Sequence, residues 1–232
     1  MSERVDVTLP DGTMPAHRWL PEGGSGPGIL LLQEIFGVSP YIRRRAEDLA
    51  AQGYVVLAPE IFWRLGVAEV ADGPAMLEEA MGLLGRLDWD AAVADATQAL
   101  RALRHDDAVT GGVGVVGFCF GGGLGYAVVA QSPADALVSF YGSALPQLVE
   151  AVPSVSTPSL HVFGESDAYL PMDVVERITT AVTSGDAPTE VVTYPGADHA
   201  FDNPDFVNHD AEASAAAWSR TEDYLARVLP TG

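Results

Sequence analysis

The feature that most constrains this fold is a repeated alternation of short apolar runs with longer segments of helical composition. Three of the runs lie at residues 29–32, 54–58 and 113–118. Apolar runs without polar alternation are typical of strands buried on both faces, as in a parallel sheet. The order strand, helix, strand, helix predicts an α/β fold with a mostly parallel central sheet and helices on both faces. No break in composition marks a boundary, so one domain over residues 1–232 is expected.

The remaining elements follow from alternation, capping residues and turn residues. Val5, Val7 and Leu9 predict an amphipathic strand, Asp11-Gly12 a turn, and residues 18–20 the hairpin partner. Ser39-Pro40 is a typical helix start. Helices are predicted over 39–52, 75–85, 89–104, 120–131, 171–183 and 209–229, with further strands over 136–140, 159–163 and 190–194. Residues 60–75 are expected to be irregular.

Charge and hydropathy exclude several classes of protein. The formal net charge is −20, which disfavours binding to nucleic acid or to an anionic membrane. No apolar run reaches the roughly 18 residues of a membrane-spanning helix. Residues 1–10 lack the basic and then apolar layout of a signal peptide, so a cytoplasmic protein is expected.

The absence of lysine and the presence of a single cysteine exclude several classes of catalytic site. All 12 basic residues are arginine. Without lysine there is no P-loop, no pyridoxal Schiff base and no Ser–Lys hydrolase. The single cysteine excludes an internal disulfide, paired-cysteine redox chemistry and clustered-thiolate metal sites. No cofactor and no metal are expected.

The segment Gly117-Phe118-Cys119-Phe120-Gly121 follows a predicted strand and opens a predicted helix. This is the nucleophile-elbow pattern G-x-S-x-G, with cysteine in the serine position. Glycines flank the nucleophile because bulky residues would clash in so sharp a turn. The helix N-terminus would stabilise a thiolate and an oxyanion. The alternative is a small packed cysteine at a strand–helix junction.

Candidate partners for Cys119 follow it along the chain, as they do on this scaffold: first an acid, then a histidine. Asp167 lies in the loop after the 159–163 strand, with Glu165 as the competing acid. His199 lies in the loop after the last strand. The other histidines fit this position less well, and His161 is expected to be a packed core residue. A metal site near His199 is a rival explanation for its acidic neighbours, which surface capping acids explain more simply: Asp198, Asp202, Asp205 and Asp210, with His209.

A third piece of the expected site follows the first buried strand, at Gln33-Glu34-Ile35-Phe36-Gly37. One oxyanion-hole amide usually comes from this position, and the other comes from the residue after the nucleophile. Ile35 and Phe120 are therefore the expected donors. Phe36 is a candidate substrate contact. Glu34 is an acid at a strand end that faces the expected site, although a plain surface acid is the simpler alternative.

Five motifs in order resemble the dienelactone hydrolase family over nearly the whole chain. They are Gln33-Glu34-Ile35-Phe36-Gly37, Gly53-Tyr54-Val55-Val56-Leu57-Ala58-Pro59, Gly117-Phe118-Cys119-Phe120-Gly121-Gly122, Gly164-Glu165-Ser166-Asp167 and Tyr194-Pro195-Gly196-Ala197-Asp198-His199-Ala200-Phe201. The resemblance implies a compact monomeric hydrolase of a small lactone or ester, with the triad Cys119, His199 and Asp167. It also implies that Glu34 is a fourth member that interacts with the thiol.

The chain departs from the family where the substrate carboxylate is held. The resemblance implies two arginines for that task, but the position of the second is Asn203, next to Asp202. Arg64, after Trp63, is the candidate for the first. The missing arginine weakens the case for dienelactone as the substrate, because Asn203 has only neutral donors and Asp202 is expected to repel an anion.

Two other classes of function remain open from the sequence. A glutamine amidotransferase also uses a cysteine on an elbow, but His199-Ala200-Phe201 does not match the His-x-Glu that it requires. A non-catalytic or thiol-sensing protein on the same scaffold is the second alternative.

Overall fold

The computed structural model describes residues 2–232, which form two compact units. The first unit holds the chain up to Val113 together with Thr231–Gly232, and the second holds Gly114–Pro230. The strands are predominantly parallel and alternate with helices, which confirms the predicted α/β class.

Four strands of the first unit lie in the order β1, β2, β4, β3. Strand β2 pairs antiparallel with both β1 and β4, whereas β3 and β4 are parallel. The elements in chain order are β1 (Ser2–Leu9), β2 (Gly12–Trp19), β3 (Gly26–Leu32), α1 (Pro40–Ala51), β4 (Val55–Pro59), a 3-10 helix (Ile61–Leu65), α2 (Met76–Leu84) and α3 (Trp89–Arg104).

In the second unit the strand order is β5, β6, β7, β8, and every neighbouring pair is parallel. The elements are β5 (Val109–Phe118, which begins in the first unit), α4 (Phe120–Gln131), β6 (Ala136–Phe140), α5 (Leu145–Ala151), β7 (Ser159–Gly164), α6 (Met172–Val182), β8 (Thr189–Tyr194) and α7 (Ala211–Val228). The carboxyl ends of parallel strands meet at one edge, so the loops after these four strands share that edge.

The apolar runs form buried strands because both faces of each strand are covered. Every residue of β3, β4, β6 and β7 is buried. Helix α1 begins as predicted: the Ile42 amide donates to Ser39 Oγ, and Pro40 occupies the first helical position. Its end is followed by Gly53, whose φ of +104° favours glycine.

Three elements differ from the predictions. Strand β2 begins at Gly12 rather than at residue 18, and it contains Pro15, which weakens a strand signal. Helix α5 was not predicted, because it has only seven residues. The segment expected to be irregular contains the 3-10 helix. Among residues 2–232, no helix is both long and apolar enough to cross a membrane.

The cap of α7 provides a test of how a single carboxylate anchors the last helix. Asp210 Oδ1 accepts hydrogen bonds from the amides of Glu212 and Ala213, both at 3.0 Å. Asp210→Ala should lower the free energy of unfolding by about 1 kcal/mol, measured by urea denaturation. The control is Asp223→Ala, an exposed change within the same helix. Equal losses in both variants would contradict a capping role.

Candidate active site

Cys119 lies between β5 and α4 in a strained backbone conformation, with φ of +53° and ψ of −114°. Few non-glycine residues adopt a positive φ, and such strain concentrates at functional sites. The flanking glycines allow it: a Cβ on Gly117 would lie only 2.1 Å from the Gly121 carbonyl oxygen. The G-x-C-x-G pattern therefore has a steric cause, since the turn at Cys119 leaves no room for a side chain at Gly117.

Backbone hydrogen bonds hold the elbow against the neighbouring strand. The Cys119 amide donates to the Phe140 carbonyl at 3.0 Å. The Cys119 carbonyl accepts from the Gly122 amide at 3.0 Å and from the Ser143 amide at 3.1 Å. The nucleophile candidate is thus fixed from the end of β6 as well as by its own helix.

The structure brings Cys119, His199 and Asp167 together. His199 Nε2 lies 3.1 Å from Cys119 Sγ, and His199 Nδ1 lies 2.7 Å from Asp167 Oδ2. All three residues are buried. The imidazole can therefore pass a proton to or from the sulfur while the carboxylate fixes its orientation.

The two candidate acids, Asp167 and Glu165, differ in their positions relative to His199. Asp167 Oδ1 accepts from the amides of Tyr169 and Leu170 at 2.8 and 3.0 Å, which leaves Oδ2 for His199. Glu165 instead accepts a hydrogen bond from Thr193 at an exposed site. The structure therefore places Asp167, and not Glu165, beside the histidine.

The environment of His199 favours its protonated form. Burial disfavours the imidazolium and by itself lowers the pKa, but hydrogen bonds to Asp167 and Cys119 and their negative charges outweigh it. The pKa of His199 is raised to about 10. The imidazolium therefore persists at neutral pH next to the sulfur.

The other histidines have different surroundings. His161 is fully buried within β7, where burial lowers its pKa to about 4. It contacts Ser159 Oγ at 3.2 Å, as expected of a packed core residue. His17 pairs with Glu60 at 3.0 Å, and His209 contacts the Phe201 carbonyl at 3.0 Å.

The residues expected to complete an oxyanion hole lie in the first unit, in a loop over residues 33–38 that we call the 33–38 loop. Within it, Glu34, Ile35 and Phe36 are buried. A second segment holds its backbone: the Val38 amide donates to the Ala68 carbonyl at 3.1 Å, and the Val70 amide donates to the Phe36 carbonyl at 2.9 Å. Burial of Glu34 contradicts the alternative of a plain surface acid.

Of the acids that follow His199 in the sequence, Asp202 departs from the predicted role and Asp210 agrees with it. Asp202 is fully buried and accepts a hydrogen bond from Ser214 at 2.7 Å. The expectation that it is a surface acid is therefore wrong, because Ser214 of α7 holds it inside the second unit. Asp210 caps α7, as a capping acid should. Within residues 2–232, no group of three or more His, Cys, Asp or Glu side chains could hold a metal ion.

Two of the three candidate substrate-binding residues, Arg64 and Asn203, are engaged with protein groups. Arg64 forms ion pairs with Asp11 and Asp95. Asn203 is buried, and its Oδ1 accepts from the Asp205 amide at 2.9 Å. Contact with a substrate stays a prediction for Arg64, Asn203 and Phe36.

Three residues at this edge were missed by sequence reasoning. The rings of Tyr141 and Tyr169 lie 5.2 and 5.1 Å from the His199 ring, centroid to centroid. Ser143 Oγ lies 4.0 Å from Cys119 Sγ. A sequence signal for these residues existed, because each lies in a loop that follows a parallel strand, β6 or β7. Cys119, Asp167 and His199 follow β5, β7 and β8 in the same way.

Comparison with known proteins agrees with this architecture. A model of the Dienelactone hydrolase family matches residues 14–229. The carboxymethylenebutenolidase of Pseudomonas putida is 32% identical over 229 residues, covering 97% of each chain. A putative dienelactone hydrolase from Klebsiella pneumoniae is similar in structure, with a TM-score of 0.85, 26% identity and 98% of each chain covered. A dienelactone hydrolase-like promiscuous phosphotriesterase from metagenomic libraries has a TM-score of 0.82 and 25% identity, covering 99% of this chain and 98% of its own.

These matches define an α/β-hydrolase fold and a hydrolytic enzyme. The chain belongs to the dienelactone hydrolase family. The predicted fold class, the predicted family and the prediction of a carboxylic ester hydrolase are confirmed.

The raised pKa of His199 gives a test of the buried contacts. Cys119→Ala and Asp167→Asn should each lower the pKa of His199 from about 10, because each removes a negative partner. The proton on His199 stabilises the fold fully below the unfolded pKa of 6.5, and this contribution is lost as the pH rises through about 10. NMR titration of the imidazole measures the shift, with His209→Gln used to assign the signals. An unchanged pKa in both variants would contradict the contacts.

Proposed function

We propose that the chain is a cysteine-dependent hydrolase of a lactone or small ester, acting through an acyl-enzyme intermediate. The observation that supports this most strongly is His199 between the Cys119 sulfur, at 3.1 Å, and the Asp167 carboxylate, at 2.7 Å. A nucleophile, a base and an orienting acid in this order of contact are the parts that acyl transfer requires.

The proposed reaction begins with the thiol proton on His199. The Cys119 thiolate attacks the carbonyl carbon, and the C=O electron pair moves onto oxygen to give a tetrahedral oxyanion. Collapse of this intermediate breaks the C–O ester bond, and the imidazolium protonates the leaving alkoxide. His199 then takes a proton from water, the hydroxide attacks the thioester, and the regenerated thiolate leaves. A pKa near 10 keeps the histidine protonated until the alkoxide forms, since an alkoxide is a much stronger base.

Two backbone amides are proposed to stabilise the oxyanion. Phe120 is the first residue of α4 and directly follows Cys119, so its amide lies at the positive end of the helix dipole, where negative charge is stabilised. The second donor is the amide of Ile35 in the 33–38 loop. Loss of one such donor typically reduces turnover by about 100- to 1000-fold.

The proposed substrate class is a neutral or weakly anionic lactone or small ester. The relatives named carboxymethylenebutenolidase support a lactone. Strong carboxylate binding needs a fixed fork of charged donors, which arginine supplies and asparagine does not. Asn203 offers a neutral amide whose oxygen already accepts from the Asp205 amide. Dienelactone itself is therefore not the substrate that we favour.

Removal of the nucleophile is the direct test. Cys119→Ala should abolish hydrolysis of p-nitrophenyl esters and of a lactone panel, with a loss on the order of 1000-fold or more, because the reaction needs the sulfur. Burst acylation by an activated ester, followed by mass spectrometry, should show one acyl group on Cys119. Retained activity in the variant would show that Cys119 is not the nucleophile, whereas the absence of a burst in the wild type would favour the non-catalytic or thiol-sensing alternative.

The remaining triad members should act as a unit with Cys119. His199→Ala and Asp167→Asn should each impair kcat strongly, and either change should add little in the Cys119→Ala background. Glu165→Gln is the matched control, because Glu165 lies in the same loop but bonds to Thr193. If Glu165→Gln were as damaging as Asp167→Asn, the assignment of the acid would be wrong.

Glu34 is proposed as a fourth member of the site that restrains the thiol. A buried carboxylate near a sulfur disfavours the thiolate, so Glu34→Gln should shift the pH profile of iodoacetamide alkylation to lower pH. The control is Glu60→Gln, a buried carboxylate that pairs with His17. A profile that stays in place would mean that Glu34 does not act on Cys119.

A further inference from the structure

We propose that Arg64 is a positioning residue that fixes the 33–38 loop, and that it does not hold a substrate carboxylate. Its catalytic consequence rests on the function proposed above, because it acts through the Ile35 amide. The contacts that carry the proposal all lie in the first unit.

Arg64 is held by two carboxylates at once. Nε and Nη2 donate to the two oxygens of Asp95 at 2.8 and 2.9 Å, and Nη1 and Nη2 donate to those of Asp11 at 2.7 and 2.9 Å. Both pairs are bidentate, the geometry in which a guanidinium binds a carboxylate most strongly. Four of the five N–H donors of the guanidinium are thus used within the chain.

Asp95 also accepts a hydrogen bond from the side chain of Trp63, the residue before Arg64. Trp63 Nε1 donates to Asp95 Oδ2 at 2.8 Å, and the Arg64 guanidinium stacks 4.5 Å from the Trp63 ring centroid. A Cβ on Gly12 would lie 2.9 Å from that ring, so glycine is needed where the hairpin turn meets it. These contacts fasten the 3-10 helix to α3 and to the β1–β2 turn.

The charge of this network opposes binding of a further anion. One guanidinium between two carboxylates carries a net charge of −1, and Asp95 is buried. A substrate carboxylate would have to displace Asp11 or join as a third negative charge. The same arrangement that anchors the 3-10 helix therefore makes Arg64 a poor carboxylate receptor.

The 3-10 helix holds one end of the 33–38 loop directly, and the segment that follows it holds the other end. At one end, the Ile61 amide donates to Gln33 Oε1 at 3.2 Å. At the other, residues 68–70 pair with the loop through the Val38 and Val70 amides. Only Gly66 and Val67 separate the 3-10 helix from Ala68, so movement of the helix is transmitted to the loop.

The fit between the two segments is tight at Gly37. Its φ of +81° favours glycine, and an added Cβ would lie 2.3 Å from the Ala68 carbonyl oxygen. Because the loop backbone at Gly37 lies directly against Ala68, the placement of the loop depends on that of residues 68–70. Arg64 thereby sets the position of the proposed Ile35 donor from a distance.

The first experiment measures the loop directly, without any activity assay. Amide hydrogen exchange at Val38 and Val70 is compared in the wild type, Arg64→Met, Asp95→Asn and a control, Arg18→Met. Arg18 is an arginine of the same unit that also pairs with two acids, Glu3 and Asp106. Exchange at both amides should accelerate on the order of 10-fold in Arg64→Met and Asp95→Asn and should stay unchanged in the control.

The second experiment separates positioning from carboxylate binding. In Arg64→Met and in Asp95→Asn, kcat for a carboxylate-bearing lactone and kcat for its methyl ester should fall together, by about 10- to 100-fold. The KM for each substrate should change little. An aldehyde inhibitor that forms an oxyanion on Cys119 should bind more weakly by a similar factor. Iodoacetamide alkylation, which forms no oxyanion, should keep its rate.

Several outcomes would overturn the proposal. A raised KM for the acid alone in Arg64→Met, or tighter binding of the acid in Asp95→Asn, would show that Arg64 holds the carboxylate. An equal fall in alkylation and turnover would indicate general loss of structure. Asp95→Asn keeps the side-chain shape, so it decides the test if Arg64→Met does not fold. If the wild type hydrolyses no ester or lactone, the proposed function fails. Unchanged hydrogen exchange in Arg64→Met and Asp95→Asn refutes only the proposal that Arg64 fixes the 33–38 loop.

Discussion

The arrangement at the end of β5 depends on the close approach of Gly117 to the carbonyl of Gly121. At 2.1 Å from the position of a Cβ, that carbonyl leaves no room for any side chain. This approach allows the chain to pass from strand to helix in a single residue, and it forces Cys119 into a positive φ. The bonds from Phe140 and Ser143 then oppose relaxation of the strain. The backbone at Cys119 therefore places the sulfur 3.1 Å from His199 Nε2, so no movement of the side chain is required for this contact.

The meeting of Cys119, Asp167 and His199 was predictable because it obeys a rule of topology. Cys119, Asp167 and His199 each follow a strand of one parallel array, and the carboxyl ends of such strands share an edge. Apolar runs identify these strands, so the loops after them can be found without contact information. The same rule could have identified Tyr141 and Tyr169. They were missed because an aromatic residue at a strand end is also typical of plain packing.

The network around Arg64 was not predictable in this way. Its partners Asp11 and Asp95 lie 53 and 31 residues away along the chain, with no periodicity to link them. Asp202 was misjudged for a related reason, since its burial depends on Ser214 in the following helix. A pattern of polar and apolar residues predicts that acids are exposed. An acid is buried only when a residue distant in the sequence binds it, and the pattern does not identify that residue. Buried charges are therefore where this sequence is least informative.

The buried thiol of Cys119 is the only sulfur nucleophile in the chain. Redox-sensing proteins commonly place a second cysteine nearby, so that an oxidised sulfur is captured as a disulfide before it is lost. This chain has no such resolving partner. Oxidation of Cys119 to the sulfenic acid would therefore be reversed only by a thiol supplied from outside the protein, and further oxidation would be permanent.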